Sequence, residues 1–239
     1  MFCYSINLII GRGVGSCCTL LGKRLEEWQL ETSIEECALL LEGVILLDTM
    51  NLSPSINKTT DEDISIVHSL EQKHPSIPIQ QDLLFERLKN AKYDPIFWSS
   101  LSSQDALDYD YKVFTMGSYQ FGWSTVLTPL NPLLSKTPSI KENHVLLNDF
   151  CREKKIDGLI LSAVINGDTI RREFYFFLSE KYEKDQSINQ YLEKMNKVLI
   201  DTYSCQKDLK NPSILFTYTP ISRKALAPVL MKLFELLVC

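Results

Sequence analysis

The chain has 239 residues, 45% hydrophobic and 23% charged, and its 25 basic and 30 acidic residues leave a net charge of −5. That is enough apolar material for a folded core, and only 9 Gly and 10 Pro without a period exclude collagen-like and low-complexity chains. An acidic balance with no block of like charge argues against a non-specific nucleic-acid binder. No apolar run approaches the roughly 20 residues of a membrane span, because the richest, Ala38 to Leu47, is broken by Glu42.

The first ten residues form an apolar run with no basic residue ahead of it and no small-residue cleavage site, which predicts a strand rather than a signal peptide. A glycine loop, Gly11-Arg12-Gly13-Val14-Gly15-Ser16, follows, and Leu20, Leu21, Leu25 and Trp28 fall at helical spacing over Cys17 to Trp28. Ser33 with Glu36 makes a capping box for a helix from Ile34 to about Met50, apolar on nearly every face and therefore buried. Asp61, Glu62 and Asp63 suit the start of a helix that runs to about His74, and Pro75-Ser76-Ile77-Pro78 reads as a linker. The expected domains are thus 1–79 and 80–239.

The second piece opens with a helix over Gln80 to Lys92. Strands follow at Val113 to Met116 and Phe121 to Leu127, around a Gly117-Ser118 turn. Helix Lys141 to Lys155, strands Leu159 to Ile165 and Glu173 to Leu178, helix Ile188 to Tyr203, strand Ile214 to Tyr218 and helix Ser222 to Val238 complete an α/β pattern. Seven cysteines, at 3, 17, 18, 37, 151, 205 and 239, include no C-x-x-C pair, as expected of a reduced, cytoplasmic chain.

The glycine loop invites a dinucleotide reading, but Ser16 stands where the third glycine of G-x-G-x-x-G belongs, and no second strand brings a ribose-binding acid. A phosphate-binding P-loop fails too, since Gly22-Lys23 is followed by Arg24. Asp48 ends the apolar helix beside Thr49 and Asn51; it is either a helix-end residue or a carboxylate that meets a cation. His68, His74 and His144 have no acidic neighbour that would make a metal site with them. Near the C-terminus, Ser222 is a good N-cap, and Arg223-Lys224 place two cations where the helix dipole disfavours them. They are either a solvated surface pair or the grip for an anion bound at that N-terminus.

Five segments, taken in order, resemble the DHH phosphoesterase superfamily, in particular the prune-type exopolyphosphatases and the family II inorganic pyrophosphatases. They are Val14-Gly15-Ser16-Cys17-Cys18-Thr19-Leu20, the apolar helix ending in Asp48-Thr49-Met50-Asn51, Lys58-Thr59-Thr60-Asp61-Glu62-Asp63, Asp110-Tyr111-Lys112-Val113-Phe114 with Gly117, and Ser222-Arg223-Lys224 with Pro228-Val229-Leu230. The resemblance implies the C-terminal tail of a parallel-sheet DHH domain followed by a complete smaller α/β DHH-associated domain with a mixed sheet.

It further implies a hydrolase of pyrophosphate or short-chain polyphosphate. Asp48 would be a ligand for Mn²⁺ or Mg²⁺, Lys112, Arg223 and Lys224 would bind substrate phosphates, and Ser16 and Asn51 would shape the site. The family's other metal ligands come from a D-x-D on an early strand loop and a D-H-H or D-H-R triplet; no D-x-D precedes Val14, and no such triplet occurs here. The expectation is therefore an N-terminally incomplete first domain, with a non-catalytic phosphate-binding module that acts through a protein partner as the alternative. The remaining alternative is a dinucleotide-binding enzyme that depends on Gly11 to Gly15.

Overall fold

The computed structural model describes residues 13–28, 31–56, 58–73, 80–135, 140–167 and 169–238. The chain forms two compact units, Met1–Lys92 and Tyr93–Cys239. The expected N-terminal strand and the Pro75 to Pro78 linker lie outside the described residues. The units divide after Lys92 rather than near residue 79, because the helix expected to open the second domain packs with the first.

In its described residues the first unit is helical: α1 (Cys17–Glu27), α2 (Glu31–Asp48), α3 (Asp61–Lys73) and α4 (Gln81–Lys92). Ala38, Leu41, Ile45 and Leu46 of α2 pack with Ile66, Val67 and Leu70 of α3 and with Leu84 and Phe85 of α4. Since α2 is apolar all round, burying one face leaves another in water, and Leu40 is 71% and Val44 42% exposed.

The second unit opens with two short helices, α5 (Pro95–Ser100) and α6 (Ser103–Asp108), that periodicity did not reveal. Both start at side-chain caps: Asp94 accepts from the Ile96 N–H and Ser102 from the Asp105 N–H. Then come β1 (Tyr111–Met116), β2 (Tyr119–Val126), α7 (Leu130–Leu134), α8 (Ile140–Lys154), β3 (Gly158–Ile165), β4 (Arg171–Leu178), α9 (Gln186–Tyr203), β5 (Gln206–Lys207), β6 (Leu215–Thr217) and α10 (Arg223–Val238).

Among the described residues, six strands make one mixed sheet in the order β1-β2-β3-β4-β6-β5. The β2–β3 pair is parallel, joined through α7 and α8, and the other pairs are antiparallel. Gly117 turns β1 into β2 at φ 62°, and a Cβ there would meet the Phe234 ring at 1.9 Å.

Strand alternation sorts side chains onto two faces. Phe114, Met116, Phe121, Trp123, Ile160 and Phe174 pack beneath α9 and α10. Tyr111, Val126, Leu159, Leu161, Ala163 and Phe177 pack against α5 to α8. By the same alternation Lys112, Thr125, Ser162, Arg172 and Thr217 belong to the α9/α10 face, while Arg171, Glu173 and Phe216 belong to the other.

Candidate functional site

In the first unit the glycine loop closes on a carboxylate of its own chain. Asp63, with no exposed surface, accepts from the Gly15 N–H at 2.9 Å, the Ser16 N–H at 3.3 Å, the Thr19 hydroxyl at 2.5 Å, the Thr60 N–H at 2.8 Å and the Thr60 hydroxyl at 2.7 Å. Burial alone would push this carboxyl up, but the donors from Thr19, Thr60 and Gly15 outweigh it and hold Asp63 below the ordinary carboxylate range. Asp63 thus joins the Val14 to Leu20 and Lys58 to Asp63 segments. A Cβ on Gly15 would lie 2.6 Å from the Asp63 carboxylate and from the Thr49 methyl, so only glycine fits. With the Gly15 and Ser16 N–H groups taken by Asp63, the loop does not present them to a dinucleotide pyrophosphate.

Ser16 caps α1, its oxygen accepting from the Cys18 N–H, while its hydroxyl donates to the Asp48 carboxylate at 2.7 Å. Lys58 donates to the Asp48 backbone carbonyl at 2.7 Å and keeps its ammonium 4.0 Å from the Asp48 carboxylate, a cation placed at the C-terminus of α2. Burial pushes the nearby Cys18 thiol up, and the charges of Cys17 and Asp48 add to it. Asn51 stands at φ 60° just past α2 and joins the start of α4, donating to Asp82 at 2.7 Å and accepting from Gln81 at 2.9 Å.

A hard divalent cation needs several oxygen or imidazole ligands. Among the described residues no three His, Cys, Asp or Glu side chains are grouped to hold one, and Asp48 already faces a hydroxyl and an ammonium. The described residues therefore do not by themselves fit the metal centre that the family resemblance attaches to Asp48.

Lys112, Arg223 and Lys224 lie in the second unit. Arg223, its side chain 13% exposed, is fixed at the start of α10: one terminal nitrogen donates to the Asp110 carboxylate at 2.6 Å, the other to the Asp110 carbonyl at 2.8 Å, the Trp123 carbonyl at 3.2 Å and the Thr125 hydroxyl at 3.3 Å. These bonds tie α10 to β1 and β2 and leave the guanidinium few free donors. A freely presented bidentate clamp, which the sequence allowed, is thus replaced by an anchored cation. Ser222 caps the helix as expected, its hydroxyl accepting from the Ala225 N–H at 3.2 Å. Lys224 and Lys112 are exposed, and Lys112 pairs in register with Trp123, whose carbonyl Arg223 reaches. Asp110 had stood in the sequence only as part of a motif; its spacing of two from Lys112 on an edge strand is the signal that both belong near one helix end.

The DHHA2 domain family matches residues 86–233, more than half of the chain. The chain belongs to the DHHA2 domain family. Within the DHH superfamily it is of the prune type: it is 31% identical over 151 residues to Exopolyphosphatase PRUNE1 of Rattus norvegicus and 29% identical over 151 residues to that of Homo sapiens. In each case the match covers 63% of this chain and 32% of the relative, so the matched region spans about a third of the relatives' length. Its fold is similar to that of a Methanococcus jannaschii putative family II inorganic pyrophosphatase in its crystal structure, with a TM-score of 0.62 at 18% identity over 94% of this chain and 66% of that one. Within this DHHA2 domain, Arg223 ties the Ser222 to Lys224 helix start to the Asp110 end of β1.

Proposed function

We propose that the chain holds pyrophosphate or short-chain polyphosphate on the α9/α10 face of its second unit, as the substrate-binding part of an exopolyphosphatase-type phosphoanhydride hydrolase. The observation that carries this is the anchoring of Arg223 by Asp110 at a capped helix N-terminus, beside exposed Lys224 and edge-strand Lys112. Two exposed ammonium groups and a fixed guanidinium provide charge-assisted donors to phosphoryl oxygens, and the α10 dipole adds to them. In the hydrolysis, water adds to the terminal phosphorus, the bridging P–O bond breaks, and the shortened phosphate leaves with a proton. Lys112 and Lys224 would hold the anion and offset the charge growing on the leaving oxygen, with Arg223 setting their frame. Manganese or magnesium enters this proposal only as a cation to which Asp48 would give one ligand. No described helix is long and apolar enough to cross a membrane, and the five cysteines that are free among the described residues suit action in the cytoplasm.

A second reading, a phosphate-binding module that works through a protein partner without turnover, is favoured by one feature: Asp48 is engaged by Ser16 and Lys58. Phosphate release from pyrophosphate and tripolyphosphate with Mn²⁺ or Mg²⁺, by the wild type and Asp48→Asn, separates the two. Turnover lost in the variant supports hydrolysis; anion binding sensitive to Lys224→Ala with no release supports the module; no anion binding removes both.

A further inference from the structure

Asp48 ends α2, where an acid is badly placed. The carbonyl groups of the last helical turn form the negative end of the helix dipole, and the Asp48 carboxylate adds a full charge beside them. The last turn of α2 holds no basic residue that would offset either. The compensating cation comes from outside the helix. Lys58 donates to the Asp48 carbonyl at 2.7 Å, and its ammonium stands 4.0 Å from the Oδ1 oxygen of the Asp48 carboxylate, so one charge serves both groups.

The loop after α2 delivers Lys58 to that point. Met50, Asn51 and Leu52 leave the helix at φ 49°, 60° and 58°, three successive side-chain-bearing residues in the left-handed region. The turn is tied to the helix, the Asn51 N–H donating to the Leu46 carbonyl at 2.8 Å and the Ser53 N–H to the Thr49 carbonyl at 3.0 Å. The Thr59 hydroxyl then donates to the Ser53 carbonyl at 2.9 Å, closing the loop just beyond Lys58. The Lys58 carbonyl lies 2.9 Å from where a Cβ on Gly15 would stand. A lysine whose backbone is held in this way keeps its ammonium at a high local concentration, whereas a metal ion has to be drawn from solution.

Among the described residues a divalent ion at Asp48 finds little help. The Ser16 hydroxyl points its proton at the other carboxylate oxygen, Oδ2. Asp63 gives its oxygens to five donors and has no exposed surface. An incoming ion therefore meets a single carboxylate with a cation already beside it.

We propose that Lys58 is the resident cation of Asp48: a tethered ammonium holds the place that the family resemblance gives to a divalent metal, and Mn²⁺ or Mg²⁺ gains Asp48 only by displacing it. The inference concerns the first unit alone and does not depend on where phosphate binds. The Lys58 and Asp48 side chains are 48% and 41% exposed, so water and salt screen the pair and the competition amounts to a factor of about three to five.

Titration of the full chain with Mn²⁺ in phosphate-free buffer, with the free ion counted by its electron paramagnetic resonance signal, tests this. The variants are Lys58→Met, Lys58→Gln, Lys58→Arg, Asp48→Asn and the double variant Lys58→Met with Asp48→Asn. Lys58→Gln keeps a donor for the Asp48 carbonyl without the charge, so it reads the electrostatic part even if Lys58→Met folds poorly. The expected result is Mn²⁺ binding about three- to fivefold tighter in Lys58→Met and Lys58→Gln than in the wild type, with Lys58→Arg unchanged and the gain lost in the double variant. Thermal unfolding should agree: 1 mM Mn²⁺ raises the midpoint of Lys58→Gln more than that of the wild type. Equal Mn²⁺ affinity in the wild type, Lys58→Met and Lys58→Gln overturns the proposal. A gain that survives in the double variant overturns it as well, because the ion then sits elsewhere than at Asp48.

Discussion

The two units treat charge in opposite ways. In the first, Asp63 collects five donors and Asp48 is met by a hydroxyl and an ammonium, so its acids serve the packing of its own loops. In the second, one face of the sheet neutralises Arg171 with two carboxylates, while on the other Lys112 and Lys224 are exposed and Arg172 makes no ion pair among the described residues. A buried charge is costly without a partner, so removing the partner of one destabilises the fold.

The largest effect that would break this comparison is at Asp63. Asp63→Ala leaves the Gly15, Ser16 and Thr60 N–H groups without their acceptor and should cost about 3–5 kcal/mol, seen in urea unfolding and as lost amide protection around Cys18 and Thr19. A loss under about 1 kcal/mol would mean that water replaces the carboxylate. The same residue sets an acid limit. Because its folded pKa lies below the ordinary value, its stabilisation is complete above the unfolded carboxylate pKa of about 4 and disappears as pH falls through the lower, folded value. Stability measured from pH 7 downward should show this loss in the wild type and not in Asp63→Asn.

Gly15→Ala comes next. Its new methyl group meets the Asp63 carboxylate, the Thr49 methyl and the Lys58 carbonyl, all closer than 3.0 Å, which predicts a loss of about 1–3 kcal/mol by thermal unfolding.

In the second unit Arg223 and Lys224 should separate, although they are adjacent. Arg223→Ala breaks a half-buried tie between α10 and the sheet and should cost about 1–2 kcal/mol of stability besides weakening anion binding. Lys224→Ala, at an exposed position, should change stability by less than about 0.5 kcal/mol and lower anion affinity about tenfold in a calorimetric titration with pyrophosphate. Equal stability of the two variants would show that the Asp110 tie contributes nothing.

Much of this was legible beforehand. The 3.6-residue periodicity of Cys17 to Trp28 and of Ile188 to Tyr203, the alternation around Phe121 and the Gly117 turn led to the right elements, because long amphipathic segments carry their own signal. The six-residue helices α5 and α6 escaped notice because so few residues show no period; only their caps, Asp94 and Ser102, marked them. The two prolines near residue 75 suggested a boundary, yet Leu84 and Phe85 of α4 belong to the core of the first unit, and burial outweighs local punctuation.

By itself, then, the sequence determined the α/β class of the second unit, the family motifs and the residues that carry charge, since composition, spacing and capping are local properties. Only the tertiary structure decided what those charges do. It gave Asp63 three of its five donors from residues 44 to 48 positions away, tied Arg223 to Asp110 across 113 residues and brought Asp208 to Arg171. Such pairings depend on strand register and helix packing, and the free energy of a charged group is set by what surrounds it in the fold.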